Sequence, residues 1–126
     1  ISKFVKRRKK IAKIYEKKLL KLKKFLNFKF EHINYNSSYH LLLVNLKEPN
    51  FKLKEKLIKF MFKKKITLQY HYIPIYKFSI YKKSNKFKNA EIYYNSTLSL
   101  PIFYNLKDSE INYVVKQLYN FFELYA

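Results

Sequence analysis

The chain has 126 residues, 48% of them apolar, with 28 Lys and Arg against 8 Asp and Glu, and with neither Cys nor Gly. That length fits one domain with a real hydrophobic core. The missing Cys excludes disulfides and thiolate metal sites, the missing Gly excludes a glycine-rich phosphate loop, and no apolar run approaches the roughly 18 residues of a membrane-spanning helix.

Residues 1–26 read as an amphipathic helix. Ile1, Phe4, Val5, Arg8, Ile11, Ala12, Tyr15, Leu19, Leu22 and Leu26 recur at steps of three and four, with Lys between them. Such a stripe needs a surface to pack on, because lysines four apart repel one another in an isolated helix. Residues 27–37, ending in "NYNSS", read as a loop. Residues 38–46, "SYHLLLVNL", read as a strand stopped by "KEPN". A second helix is expected over 53–63, with Leu53, Leu57, Ile58 and Met61 on one face. A second strand is expected over 66–73, ended by Pro74, which lacks a ladder donor and holds Ile73 extended. Residues 77–88 read as a basic loop. A short helix is expected over 89–97 with Asn89 as N-cap, and a third strand over 98–103, broken by Pro101. The last helix begins near Asp108. Its stripe is Ile111, Val114, Val115, Leu118, Phe121, Phe122 and Tyr125, and Asp108 and Glu110 favour its first turn. This order predicts a two-layer α/β unit, a small sheet of about three strands covered by helices, with the first and last helices paired.

The charge is a weak argument for a nucleic-acid partner. Only Arg7 and Arg8 are arginine, and nucleic-acid readers lean on Arg for bidentate and stacked contacts. Lys, Asn, Ile, Phe and Tyr are inflated together while Gly and Ala are scarce, which is what AT-rich codons produce. The lysines are therefore expected to be mostly a solvated face, and no nucleic-acid partner is favoured. The N-terminus interleaves charge with apolar positions and does not read as a signal peptide, so a cytoplasmic setting is expected. The absence of an initiator Met is expected of a piece of a longer chain.

Self-contained catalytic motifs are missing. The carboxylates Glu16, Glu31, Glu48, Glu55, Glu91, Asp108, Glu110 and Glu123 are scattered, and His32, His40 and His71 show no local metal-ligand spacing. Two polar-aromatic clusters remain, "SSYHL" at 37–41 and "HYIPIY" at 71–76. Each lies at a strand expected in one sheet, where strand ends project side chains into clefts.

At these clusters the chain resembles a known family. "SSYHL" with its apolar strand, the helix ending in "FMFKKKI", then "LQYHYIPIY", then "FKNAEIYYNSTLSLPIFYNL" resemble, in order and spacing, the C-terminal part of the DegT/StrS-type sugar aminotransferases. The leading "FVKRRKKIAKIYEKKL" resembles the helix that precedes this segment in the family. The resemblance runs from the first residue to the last helix. It implies the small C-terminal domain of the aspartate-aminotransferase fold, with residues 1–126 forming that single domain.

The resemblance also implies a role. The full-length enzyme would transfer an amino group from an amino-acid donor to a nucleotide-linked 4-keto sugar, in the making of pseudaminic acid or a related surface sugar. Its pyridoxal 5'-phosphate would be bound mainly by a large N-terminal domain that supplies the Schiff-base lysine, so this chain alone would be inactive. A homodimer is implied for the full-length protein. On the resemblance, His71 and Tyr72 line the substrate side of the cleft, Pro74 fixes the turn, Tyr76 is a further substrate contact, and Ser38 and His40 support from the neighbouring strand. Two departures stand out. Tyr76 replaces the second His of the family's "HYxPxH", keeping a polar tip and losing an imidazole base. "KKKI" replaces a helix-exit Gly, so a Lys must take the left-handed cap or another turn must form. On the residues alone, a basic module for RNA or anionic lipid, and a non-catalytic gene remnant, remain alternatives.

Overall fold

The computed structural model describes residues 1–28, 37–81 and 87–125. The expected loops at 27–37 and 77–88 fall partly outside these, and Glu31 and His32 wholly so.

Helix α1 (Ser2–Lys18) buries Ile11, Ala12 and Tyr15. The N-terminal members of its stripe do not reach the core: Ile1 and Phe4 are exposed, and the Phe4 ring lies 4.4 Å from that of Tyr104. The helix expected to run to residue 26 stops at Lys18. Leu19, Leu22 and Phe25 follow at steps of three, which suit a 3₁₀ turn as well as an α-helix. The Leu22 N–H donates to the Leu19 carbonyl at 2.8 Å and the Phe25 N–H to the Leu22 carbonyl at 2.9 Å. Strand β1 (Leu26–Phe28) then begins at the residue expected to end the helix and runs into the expected loop.

Strand β2 (Leu42–Leu46) alternates buried Leu42, Val44 and Leu46 with half-covered Leu43 and Asn45. It is shorter than the expected 38–46, and within that stretch Tyr39 takes φ 49°, a left-handed backbone outside the extended geometry of a regular strand. Helix α2 (Phe51–Lys63) starts at an Asn50 cap whose Oδ1 accepts the Leu53 N–H at 3.0 Å. It ends in a Schellman motif built without glycine. Lys65 takes φ 62°, the Ile66 N–H donates to the Met61 carbonyl at 3.0 Å, and the Lys65 N–H donates to the Phe62 carbonyl at 2.9 Å. The left-handed cap is thus taken by a lysine.

Strand β3 keeps only Gln69–Tyr70 of the expected 66–73. Two 3₁₀ turns follow, Ile75–Lys77 and Ser79–Tyr81. Helix α3 (Lys88–Ser96) starts one residue earlier than expected, with Phe87 at the N-cap and no side-chain cap bond, so Asn89 lies inside the first turn and caps nothing. Strand β4 (Thr97–Leu100) follows α3 with no residue between, and Pro101 ends it. Helix α4 (Asp108–Tyr125) carries Asp108 and Glu110 in its first turn as expected. The Glu110 carboxylate accepts the Lys107 N–H at 2.7 Å.

Among the described residues the sheet has four strands where about three were expected, in the order β1-β2-β4-β3, all antiparallel. Val44 faces Leu98, Asn45 faces Thr97 and Gln69 faces Ser99. The apolar face carries Leu42, Val44, Leu46, Leu98 and Leu100 into a core shared with Ile11, Tyr15, Leu57, Met61, Leu118 and Phe121 of the helices. Helices α1 and α4 pair as their stripes predict. Tyr119 fastens them by donating its hydroxyl to the Lys18 carbonyl at 2.8 Å, and Arg7 binds the Leu106 carbonyl and the Asp108 carboxylate.

Candidate functional site

The "HYIPIY" segment leaves the sheet edge at β3. His71 is 2% exposed, and its Nε2 lies 2.8 Å from the Ser99 hydroxyl on β4. Burial lowers the His71 pKa, and the Lys54 cation lowers it further. Tyr72 is exposed, edge-on to the imidazole with ring centroids 4.8 Å apart. Pro74 is buried, and its carbonyl receives the Lys77 N–H at 2.9 Å, so the proline starts the turn that swings Tyr76 toward α3. There Tyr76 donates to the Glu91 carboxylate at 2.8 Å, and Lys77 pairs with the other oxygen at 2.8 Å. Burial and the Glu91 partner push the Tyr76 phenol up from its ordinary pKa.

The "SSYHL" cluster is held from α1. The Arg8 Nη1 donates to the Tyr39 carbonyl at 3.1 Å and to the His40 carbonyl at 2.9 Å, and the Ser37 hydroxyl accepts the Tyr39 N–H at 3.1 Å. Ser38 and His40 are exposed to either side of the left-handed Tyr39.

A cavity of about 780 Å³ opens where the ends of β2 and β4 meet the N-terminus of α4. Of the five residues predicted for substrate contact, His40 lies on its wall. His71 stands one hydrogen bond behind it, through Ser99, which is itself a wall residue. Ser38, Tyr72 and Tyr76 lie off this cavity, the two tyrosines on the segment beyond the sheet edge. A second cavity, about 640 Å³, lies between the 3₁₀ turn after α1 and the end of α4, beside the stacked rings of Phe25 and Phe122.

Four residues in these arrangements escaped prediction as site residues: Arg8, Ser99, Glu91 and Lys54. Lys54 is fully buried. Its amine donates to the Tyr94 carbonyl in the last turn of α3 and lies 3.5 Å from the Thr97 carbonyl. The rings of Phe51, Tyr70 and Tyr94 surround it at 5.4, 5.1 and 4.5 Å. Burial brings its pKa down to about 8, against the opposing pull of Glu55. The signal was present, since Lys54 precedes Leu57, Ile58 and Met61 by three, four and seven residues and so stands on the apolar stripe of α2. Ser99 alternates with Leu98 and Leu100 on the opposite face of β4, but a serine on a strand carries no distinctive sequence signal.

The described residues do not build a pyridoxal-phosphate cradle by themselves. The buried lysine is closed in among rings and carbonyls, and the cavity-wall lysines Lys65, Lys21 and Lys24 are exposed. Among the described residues no three His, Cys, Asp or Glu are grouped to hold a metal ion, and no helix is long and apolar enough to cross a membrane.

The family model of the DegT/DnrJ/EryC1/StrS aminotransferases matches residues 1–119. Among curated relatives, the UDP-4-amino-4,6-dideoxy-N-acetyl-β-L-altrosamine transaminase of Campylobacter jejuni is 31% identical over 120 residues, covering 93% of this chain and 32% of the relative. The Helicobacter pylori transaminase of the same name is 29% identical over 90 residues. The chain therefore spans about a third of the Campylobacter relative's length. Among solved structures, H. pylori PseC, an aminotransferase involved in the biosynthesis of pseudoaminic acid, superimposes with a TM-score of 0.89 at 24% identity, covering 97% of this chain and 33% of that one. Spr1654 of Streptococcus pneumoniae, solved in PLP and PMP forms, matches with a TM-score of 0.81 at 20% identity over 96% of this chain and about a third of its own. At these identities the superpositions speak for the fold.

Proposed function

This chain belongs to the DegT/DnrJ/EryC1/StrS aminotransferase family, and from that premise we propose that it forms the smaller, C-terminal lobe of a nucleotide-sugar aminotransferase. The full polypeptide would move an amino group from an amino-acid donor to a nucleotide-linked 4-keto sugar, serving pseudaminic acid or a related surface sugar. The observation that carries this is the family match over nearly the whole chain, joined by a sugar-nucleotide transaminase at 31% identity. Pyridoxal phosphate is the cofactor of this family, and its holding falls mainly to polypeptide that this chain does not span. A homodimer and a cytoplasmic location belong to the same proposal.

Within it, this chain's part is to shape the substrate side of the cleft. Tyr72 offers an exposed phenol, and Tyr76 a phenol fixed on Glu91. His40 and Ser38 stand on a segment that Arg8 pins to α1, and His71 acts from behind the sheet edge. A side chain whose partner is already fixed gives up little conformational freedom when substrate arrives.

The test is to express the polypeptide together with the coding sequence upstream of residue 1 and to assay amino transfer to a UDP-linked 4-keto sugar. A cofactor absorbance band that borohydride abolishes, together with transfer from an amino-acid donor, is the expected result. Upstream sequence with no cofactor-binding lysine, or a stop codon there, would defeat the proposal.

A further inference from the structure

His71 is the part of the site most at odds with a direct role. His71 is 2% exposed and is absent from the cavity wall, whereas Ser99, itself 5% exposed, forms part of that wall, and the His71 Nε2 is fixed on its hydroxyl. A neutral imidazole carries one N–H. If Nε2 donates to Ser99, the serine proton is free to point elsewhere; if Nε2 accepts, the serine lone pairs are free. In either tautomer the hydroxyl retains one directional hydrogen bond.

The wall around Ser99 suggests what that bond meets. Thr67, Gln69 and Ser109 add uncharged hydrogen-bonding groups, Tyr113 adds an aromatic ring, and Leu100 and Ile102 are apolar. Two of the wall's charges are engaged with backbone: Arg8 holds the Tyr39 and His40 carbonyls, and Glu110 accepts the Lys107 N–H, while Lys65 is an exposed cation on the same wall. Neutral donors and acceptors beside apolar and aromatic surface suit a ring with hydroxyls on its edge and C–H groups on its faces, and a fully ionised phosphate would meet one exposed cation on this wall, Lys65. The volume, about 780 Å³, lies within the roughly 300–1,000 Å³ of small-molecule sites.

We infer that Ser99 is the cavity-facing member of a Ser99–His71 pair, that its hydroxyl binds an uncharged hydroxyl or carbonyl of the sugar ring, and that His71 acts on the substrate only through it. This rests on the proposed function and adds to it the contact residue and the portion of the substrate it takes. Ser99 is the contact, and His71 is a positioning residue.

The test is an ¹H–¹⁵N NMR titration of the 126-residue chain with three probes: UDP-N-acetylglucosamine, N-acetylglucosamine and UDP. Both sugar-bearing probes are expected to move the Gln69, Ser99 and Leu100 amides and the His71 ring nitrogens, while UDP leaves them in place. Ser99→Ala should weaken the sugar response by about 5-fold or more, the loss of one hydrogen bond, with an otherwise well-dispersed spectrum. Ser99→Thr, which restores the hydroxyl, should recover most of it. His71→Gln should weaken the sugar response while the Ser99 amide still moves, a pattern that loss of fold would not give. Movement confined to Tyr72 and Tyr76 would overturn this inference and leave the proposed function standing. Movement at Ser99 with UDP alone, or a Ser99→Ala chain that titrates like the wild type, would overturn it as well. No response to the nucleotide sugar at any residue would count against both.

Discussion

Tyr76 donates its phenol to the Glu91 carboxylate at 2.8 Å, joining the turn after β3 to helix α3. These are two of the positions through which the chain resembles its family, and Tyr76 is where it departs from the family's histidine. The tyrosine has not left an idle side chain, because Glu91 receives its proton on one oxygen and the Lys77 ammonium on the other. Tyr76→Phe should therefore destabilise the chain through the loss of this hydrogen bond, read as a lower midpoint in urea unfolding. Glu91→Gln should let the Tyr76 phenol fall back toward its ordinary pKa, since a hydrogen-bonded carboxylate opposes formation of the phenolate. Ring ¹³C shifts followed against pH would read this, and an unchanged Tyr76 titration would refute the pairing.

Lys54 should make stability depend on pH in the alkaline range. Its amine titrates near 8 in the folded chain and near the ordinary lysine value of 10.5 when unfolded. Between those values the unfolded chain binds a proton that the folded chain has released, so this residue's contribution to stability rises with pH across that window. Compared with Lys54→Met in urea unfolding at pH 7.5 and pH 9.5, the wild type should gain on the variant at the higher pH. A constant gap would place the amine in contact with water.

Lys65 holds a left-handed backbone that a Cβ makes unfavourable by about 1–2 kcal/mol. Lys65→Gly should relieve most of this while keeping both Schellman hydrogen bonds, and raise the melting temperature by a few degrees. Lys65→Val should lower it, because a β-branched residue tolerates that conformation least.

Tyr15 is completely buried, and its hydroxyl has no hydrogen-bond partner among the described residues. Burial drives its pKa far above the ordinary phenol value, and Glu110 adds to the effect. Tyr15→Phe removes an unsatisfied polar atom without changing the ring, and should stabilise the chain by about 1 kcal/mol in thermal or urea unfolding. A loss of similar size would reveal a partner for the hydroxyl.

Long apolar stripes were the most legible part of the fold. Helix α4 was placed from its stripe and its acidic first turn, because eighteen residues of period 3.6 have few other readings. The 1–26 stripe misled in its last third, since leucines three apart serve a 3₁₀ turn equally well, and a three-residue strand such as β1 has too few positions to show alternation. Strand lengths were overestimated where apolar composition continued past the ladder, as at residues 66–73. Of the site, the aromatic cluster was visible and its wiring was not. Ser99, Glu91 and Arg8 acquire their roles from residues 28, 15 and about thirty positions away, and a single sequence does not register such distances.

The direct handover from Ser96 to Thr97 has a consequence for how this stretch can vary. With no spacer to absorb a change in length, a single inserted residue would turn every β4 side chain to the opposite face. Leucines would point where Ser99 and Thr97 now stand, and the apolar layer would receive hydroxyls. Natural variants of this segment should therefore differ by substitution and not by indels from Lys88 through Leu100.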